Sequence, residues 1–432
     1  MPRRKRFHYR LKFTRSRRDG IKGVREDFRN IEKFGGENMS SWKILIAPGP
    51  FKECLSAREV ADCIEKGITR TLSSVFVRKL PMCDGGTGFV RTLVEHAGGT
   101  IKTCQTLNPL GEGIESYYGI VDLSGTRIGI IETAAAAGLA LVPPNRRDPR
   151  TTSTRGVGIL IKQALDDKCQ RIIIGCGDSA TNDGGMGMAM ALGVVFLDAK
   201  GKELKEGGIH LQQLKSIDLS GLDPRIQETS ITVACNLTSI LCGSEGTSRV
   251  YGPQKGATEE AVNQLSEALE NYANVLQSTV GKDVRYLPGA GSAGGLAAGL
   301  YALMGAQLRY SLHVVSDFVR LDEHLRATDI LITGEGRVDK TSASGKLVSG
   351  IALLAKKYDI PVFAITGSVA EDADMIYYTG VDYVEPICNE PMSVEDSFTN
   401  AKRLICDTSS RIARMLSICS NQCFVVGGNN VG

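Results

Sequence analysis

From residue 43 onward, apolar runs of four to six residues alternate with Gly-rich turns and amphipathic stretches. Short runs without strict alternation fit strands buried on both faces, so the pattern predicts an α/β fold of parallel strands joined by helices. The first unit is a strand from Lys43 to Ala47, the loop Pro48-Gly49-Pro50-Phe51-Lys52, and a helix announced by the capping box Ser56-Ala57-Arg58-Glu59. Ala57, Val60, Ala61, Ile64 and Ile68 then share its core face. A second unit runs Arg171 to Ile174, a polar loop from Gly175 to Gly185, and a small-residue helix ending near Gly193. A third runs Asp329 to Thr333, the loop Gly334-Glu335-Gly336-Arg337-Val338-Asp339, and a helix from about Ser344 to Lys357. A longer amphipathic helix is capped by Thr258 and stopped at Gly281. In each of the three units polar residues collect where the strand ends, the edge at which open α/β sheets receive ligands.

Composition narrows the class. The 432 residues, 42% hydrophobic and 23% charged, suit a soluble protein of two or three domains and exclude disordered, fibrous and membrane-spanning classes. With 49 Gly and 6% aromatics, the balance is that of an α/β enzyme. Charge is unevenly placed: 13 Lys/Arg against 5 Asp/Glu give residues 1–38 a balance of +8, while 38 against 43 leave −5 for the remainder. The basic excess lies outside any apolar periodicity, which argues against nucleic-acid binding. We read residues 1–41 as a basic extension, disordered or untranslated with Met39 as the start, a targeting address being the alternative. Residues 421–432 read as a C-terminal tail. No apolar run is long enough to span a bilayer, so no membrane contact and a cytoplasmic location are expected. The 12 Cys include no C-x-x-C pair and read as reduced thiols, and none of the five His stands near them at zinc-ligand spacing.

Four Gly-rich loops invite the known nucleotide fingerprints. Gly289 to Gly294 satisfies G-x-G-x-x-G, but no acidic residue follows at the ribose distance. Gly345-Lys346 opens a helix as a P-loop does, yet Lys340 stands where the first Gly belongs and Leu347 replaces Ser/Thr. It is still a helix start bearing Gly, Lys and the hydroxyls of Thr341, Ser342 and Ser344, suited to a phosphate. Lys52, Lys255 and Arg337 at loop edges, with Asp84, Asp183, Glu335 and Asp339, supply what phosphoryl transfer needs: cations for the moving oxygens and carboxylates for magnesium and for the attacking hydroxyl. Each has a plainer alternative, a solvated Lys or an Asp that caps a helix or closes a turn. A Ser-His hydrolase is excluded by the absence of G-x-S-x-G and of any body His in a Gly-rich loop.

The chain from about Lys43 to Ser368 resembles the bacterial-type glycerate kinases. Phe51 to Ala57 is similar to the family's FKESLSA and Ser179 to Gly185 to its SATNDGG. Tyr251 to Ala257 is similar to YGPQKGA, Pro288 to Gly295 to PGAG-AGG, and Ile332 to Arg337 to ITGEGR. The resemblance implies magnesium-dependent transfer of the ATP γ-phosphoryl group to D-glycerate, usually at the 2-hydroxyl. It also implies two α/β domains around a cleft: a discontinuous flavodoxin-like or Rossmann-like domain of residues 42–98 and 286–420, and an inserted domain of residues 99–285. A homodimer is left open.

On that resemblance the expected catalytic residues are Asp183 or Asp84 together with Lys52. Ser179, Thr181, Asn182, Lys255, Arg337, Lys346, Gly291, Gly294, Gly334 and Gly336 are expected to bind substrate or phosphate, and Glu335 and Asp339 to hold Mg2+. The chain also departs from the pattern. Gly49-Pro50 stand for the usual Asp-Ser before Phe-Lys, Thr87 for the Glu of DGGEGT, Asn236 for an Asp after Ala-Cys, and Thr341 for a Gln. These departures leave two further readings open, an altered substrate preference and a non-catalytic metabolite-binding protein on the kinase fold.

Overall fold

Ile44, Leu45 and Ile46 of the strand Trp42–Ile46 are all apolar because both faces of that strand are covered. In the computed structural model, which describes residues 42–426 apart from Thr341, Ser344 and Gly345, Ile44 and Ile46 pack with Val60, Ile64 and Leu404. Leu45 packs on the opposite side with Val348 and Ile351. The basic extension, Met39, the last six residues of the expected tail, and the expected contributions of Thr341 and Ser344 lie outside the described residues.

That strand is an interior member, next to the edge, of a five-stranded parallel sheet of order Tyr383–Pro386, Val362–Val369, Ile330–Val338, Trp42–Ile46, Val75–Lys79. The chain leaves Trp42–Ile46 toward one edge and returns on its other side at Ile330–Val338, so the loops after these two strands diverge and open a crevice. The helix Ala57–Thr69 begins with the expected capping box, Ser56 and Glu59 each bonding the other's backbone N–H. It packs beside the helix Ala401–Val426, whose residues 421–426 belong to the stretch read as a tail.

A second sheet of six strands has the order Gln307–Tyr310, Ser230–Cys235, Arg171–Gly175, Thr126–Glu132, Gly113–Leu123, Thr100–Leu107. Its first four strands are parallel, as the buried runs suggested. The last two are antiparallel, which the sequence reading did not anticipate. Thr100–Leu107 is an edge strand in which exposed and partly buried residues alternate and only Thr106 is buried, so it lacks the continuous apolar run that marked the others. Gln307–Tyr310 hydrogen-bonds into this sheet, so the sheet draws on residues past the boundary expected at 285. The helix Glu259–Val280 begins at Thr258 and ends at Gly281 as anticipated. The helix expected from about Ser344 runs instead over Leu347–Ala355. Among the described residues no helix is long and apolar enough to cross a membrane.

Candidate active site

The C-terminal edges of the two sheets meet, and the residues that make the meeting possible are glycines. A Cβ on Gly85 would stand 2.7 Å from the carbonyl oxygen of Ala234 and 3.1 Å from the amide of Cys176, at the ends of two strands of the six-stranded sheet. A Cβ on Gly86 would stand 2.4 Å from Asp178 Oδ2. Only a residue without a side chain lets the 84–88 loop lie this close to the second sheet. Beside this junction a cleft of about 1490 Å3 opens, lined by Phe51, Lys52, Met82, Thr87, Arg91, Tyr117, Glu132, Arg147, Asp178 and Ser179 among others.

At its margin three partly exposed polar side chains are tied together. Lys52 Nζ lies 3.1 Å from Asp178 Oδ1 and 3.4 Å from Asp84 Oδ2. Asp84 Oδ1 accepts the Gly86 amide at 2.8 Å, closing a turn that aims its other oxygen at the lysine. Asp178 Oδ2 accepts both the amide (2.9 Å) and the hydroxyl (3.0 Å) of Thr87. Burial opposes the charge on Lys52, but Asp84 and Asp178 outweigh it and push its pKa up to about 12, so the ammonium is protonated at any physiological pH. For Asp178, burial is likewise overcome, by Lys52 and the Thr87 donors, and its pKa falls below the ordinary carboxylate value.

Glu132, at the end of its strand and 1% exposed, accepts the amides of Gly88 (3.0 Å) and Val90 (3.1 Å) at the start of the helix Phe89–Ala97, and the Tyr117 hydroxyl at 3.2 Å. Burial raises its pKa despite these bonds. Neither Asp178 nor Glu132 was anticipated. Asp178 follows a strand in the expected polar loop, but nothing local separates it from other loop acids; Glu132 reads in sequence as the end of an apolar run.

Asp183 does not line the cleft. It is fully buried, with Oδ2 accepting the amide (2.8 Å) and hydroxyl (2.8 Å) of Thr154 and the amide of Gly187 (3.1 Å), and Oδ1 accepting the amide of Gly185 (3.1 Å). Burial raises its pKa despite all four bonds. It closes the turn at Gly185, the N-cap residue of the helix Met186–Ala191, accepts an amide in that helix's first turn, and ties it to Thr154. Thr181 and Asn182 are also fully buried, the latter donating to Ser248 Oγ at 2.9 Å.

Lys255 is buried beneath Ser179, donating to its hydroxyl at 3.0 Å and to the carbonyl oxygen of Thr181 at 2.7 Å. Burial lowers its pKa to about 7, a fall that the Asp183 charge only partly offsets. Lys255 therefore touches the cleft through Ser179. Gly291 and Gly294 are consumed by packing: Cβ atoms there would stand 2.1 Å from the Ile240 carbonyl oxygen and 1.9 Å from that of Thr181. The G-x-G-x-x-G loop wedges between two backbone segments, which accounts for its glycines without a nucleotide.

The remaining candidates gather at the crevice of the five-stranded sheet. The Gly49 amide donates to the Gly334 carbonyl at 2.8 Å, and a Cβ on Gly336 would touch Phe51 Cα at 3.6 Å. Loop 49–52 therefore lies along the end of the strand Ile330–Val338. Burial raises the pKa of Glu335; the Ser342 hydrogen bond and the Lys346 charge oppose that shift, while Asp339 and Asp84 add to it. Its Oε1 is buried without a hydrogen-bond partner. Arg337 is exposed, 4.0 Å from Asp339, and Lys346 stands exposed at the start of the helix Leu347–Ala355. Among the described residues no three His, Cys, Asp or Glu side chains are already gathered at metal-binding range.

Comparison with known proteins agrees with this architecture. Residues 44–417 match the model of the glycerate kinase family. The chain is 43% identical to a glycerate 2-kinase of Escherichia coli K12, over 87% of this chain and 98% of that protein. It is 41% identical to a glycerate kinase of Bacillus subtilis 168, over 87% and 98%. A crystal structure assigned as glycerate kinase 2 from Salmonella typhimurium LT2 superposes with a TM-score of 0.76 at 43% identity, covering 88% of this chain and all of that one.

Proposed function

The chain belongs to the glycerate kinase family, and from that premise we propose that it transfers the γ-phosphoryl group of ATP to the 2-hydroxyl of D-glycerate in the cleft between its two sheets. The observation that carries this reading is Lys52, a permanently protonated ammonium held by Asp84 and Asp178 where the two sheet edges meet. In this reading the triphosphate lies along the crevice of loops 48–52 and 334–339, with Arg337 and Lys346 near its charge. Lys52 stabilises the oxygens of the phosphoryl group in flight. Arg91 and Arg147 are two of the cations that line the cleft and are assigned to the three-carbon carboxylate. Asp84, partly exposed and fixed by the Gly86 amide, orients the hydroxyl and accepts its proton. Asp183 stands outside the cleft and supports it through the turn it closes.

The residues fit a magnesium ion. Glu335 offers a buried carboxylate oxygen without a partner, Asp339 and Asp84 are its acidic neighbours, and oxygen donors of this kind suit Mg2+, which takes one or two carboxylates and completes its shell with phosphate and water. When bound, the ion would neutralise phosphate charge. We further propose two domains that close on the cleft and exclude water, one carrying the five-stranded sheet and the other the six-stranded sheet up to Tyr310, in a cytoplasmic protein.

A coupled assay for ADP with ATP, Mg2+ and D-glycerate tests the reaction, and phosphorus NMR of the product separates the 2- from the 3-phosphate. Chelation should abolish turnover and Mg2+ restore it. Thermal stabilisation by ATP or glycerate without ADP release would instead support a binding protein.

A further inference from the structure

Thr87 stands where the glycerate kinase pattern DGGEGT has a glutamate, so the 84–88 loop brings one acid fewer to the cleft. Against that same Thr87 lies a carboxylate from elsewhere. Asp178, in the loop after the strand Arg171–Gly175, accepts the Thr87 amide at 2.9 Å and hydroxyl at 3.0 Å on one oxygen, and the Lys52 ammonium at 3.1 Å on the other. Its backbone has φ of +52°, a left-handed conformation that aspartate takes less readily than glycine. Such a conformation persists where the surrounding contacts hold it, and here three donors from the opposite sheet's loops do so. The space is also kept clear, since any side chain on Gly86 would collide with Asp178 Oδ2.

We propose that Asp178 is a positioning residue that supplies, from the second sheet, the carboxylate that Thr87 does not, holding the Lys52 ammonium and the 84–88 loop in register for phosphoryl transfer. The chain keeps one negative charge at this point while moving its origin across the cleft. Asp178 then acts through Lys52 and is not itself in contact with the moving group. This rests on the reading of the cleft as the phosphoryl-transfer site.

Four variants test it: Asp178→Gly, Asp178→Asn, Thr87→Glu, and Thr87→Glu combined with Asp178→Gly. Glycine and asparagine both accept a positive φ, so the single changes at 178 leave the backbone unstrained, and a thermal melt checks that they fold. Asp178→Gly should lower kcat by about tenfold or more while the KM for ATP changes by less than about threefold, the signature of a lost transition-state interaction. Asp178→Asn keeps an acceptor for Thr87 without the charge on Lys52 and should fall between wild type and Asp178→Gly. Thr87→Glu alone crowds two carboxylates and should also lose activity. The double variant should recover most of the kcat lost by Asp178→Gly, a rescue that a merely structural role would not give. A double variant no faster than Asp178→Gly, or full kcat in Asp178→Gly itself, overturns the assignment. Wild-type protein that releases no ADP with glycerate overturns the cleft reading and the assignment together, whereas active wild type without rescue overturns the assignment alone.

Discussion

Replacing Asp183 by Asn separates a structural carboxylate from a catalytic one. Asp183 receives three hydrogen bonds on Oδ2 and one on Oδ1 in a site without solvent. Asparagine has one acceptor oxygen. If that oxygen takes the Thr154 and Gly187 donors, the amide nitrogen faces the Gly185 N–H and leaves a buried donor unpaired, at about 1–3 kcal/mol. The three remaining bonds lose their charge assistance, and buried Lys255 loses a compensating negative charge. Relief from burying the carboxylate returns part of this, so the net loss should be about 3–5 kcal/mol, the range for breaking a buried charged contact. That is a large share of the roughly 5–15 kcal/mol that stabilises a typical domain. Denaturant unfolding of Asp183→Asn should show that loss, while the folded fraction retains kcat within about tenfold of wild type. A stability change below about 1 kcal/mol together with a kcat drop beyond about 1,000-fold would refute the structural role and return Asp183 to the chemistry.

Other expectations follow from the same geometry. Lys255 has a folded-state pKa of about 7 against an ordinary 10.5, so between those values the unfolded chain binds more protons and stability rises with pH, by at most about 1.4 kcal/mol per pH unit. Lys255→Met removes this slope; unfolding free energies of the two proteins should diverge in favour of wild type by about 1–3 kcal/mol between pH 7 and 9, and parallel profiles would count against a lysine neutralised by burial. Gly86→Ala places a methyl 2.4 Å from Asp178 Oδ2 and 3.0 Å from Asp84 Oδ1, atoms at the ends of side chains. Calorimetry should therefore find a small change in Tm and steady-state kinetics a large fall in kcat. Lys52→Met should cost about 100- to 1,000-fold in kcat. Its ion pairs are partly exposed and contribute only about 0–1 kcal/mol to folding, so Tm should barely move.

What could be read from the chain alone divides by range. Local signals held: the Ser56–Glu59 capping box, the helix between Thr258 and Gly281, and the buried strands around Ile44, Ile173 and Leu331 are all set by residues within a few positions of one another. The antiparallel strands Thr100–Leu107 and Gly113–Leu123 were not legible: the first is an edge strand with exposed residues scattered along it, and the second, though interior, carries Glu115, Ser116 and Asp122, so neither shows the continuous apolar run of the parallel strands. At the site, motif resemblance marked segments without saying which side chains face the cleft. Within Gly177 to Gly185, Asp178 turns outward at a positive φ to meet Lys52, while Asp183, five positions on, turns inward to close the turn at a helix start. That distinction depends on the 84–88 loop and on Thr154, neither of which is near in sequence. The glycines at 291 and 294 carry the same lesson, since the fingerprint they spell is answered by backbone packing against Ile240 and Thr181.

The central claim is that phosphoryl transfer takes place where the two sheet edges meet around Lys52. Co-crystallisation with D-glycerate, Mg2+ and a non-hydrolysable ATP analogue tests it directly. The account predicts the γ-phosphate within hydrogen-bonding distance of Lys52 Nζ and the glycerate hydroxyl facing it from the cleft. Ligands seated elsewhere, for example in the groove of about 740 Å3 between Leu241 and Asn274, with Lys52 untouched, would contradict it.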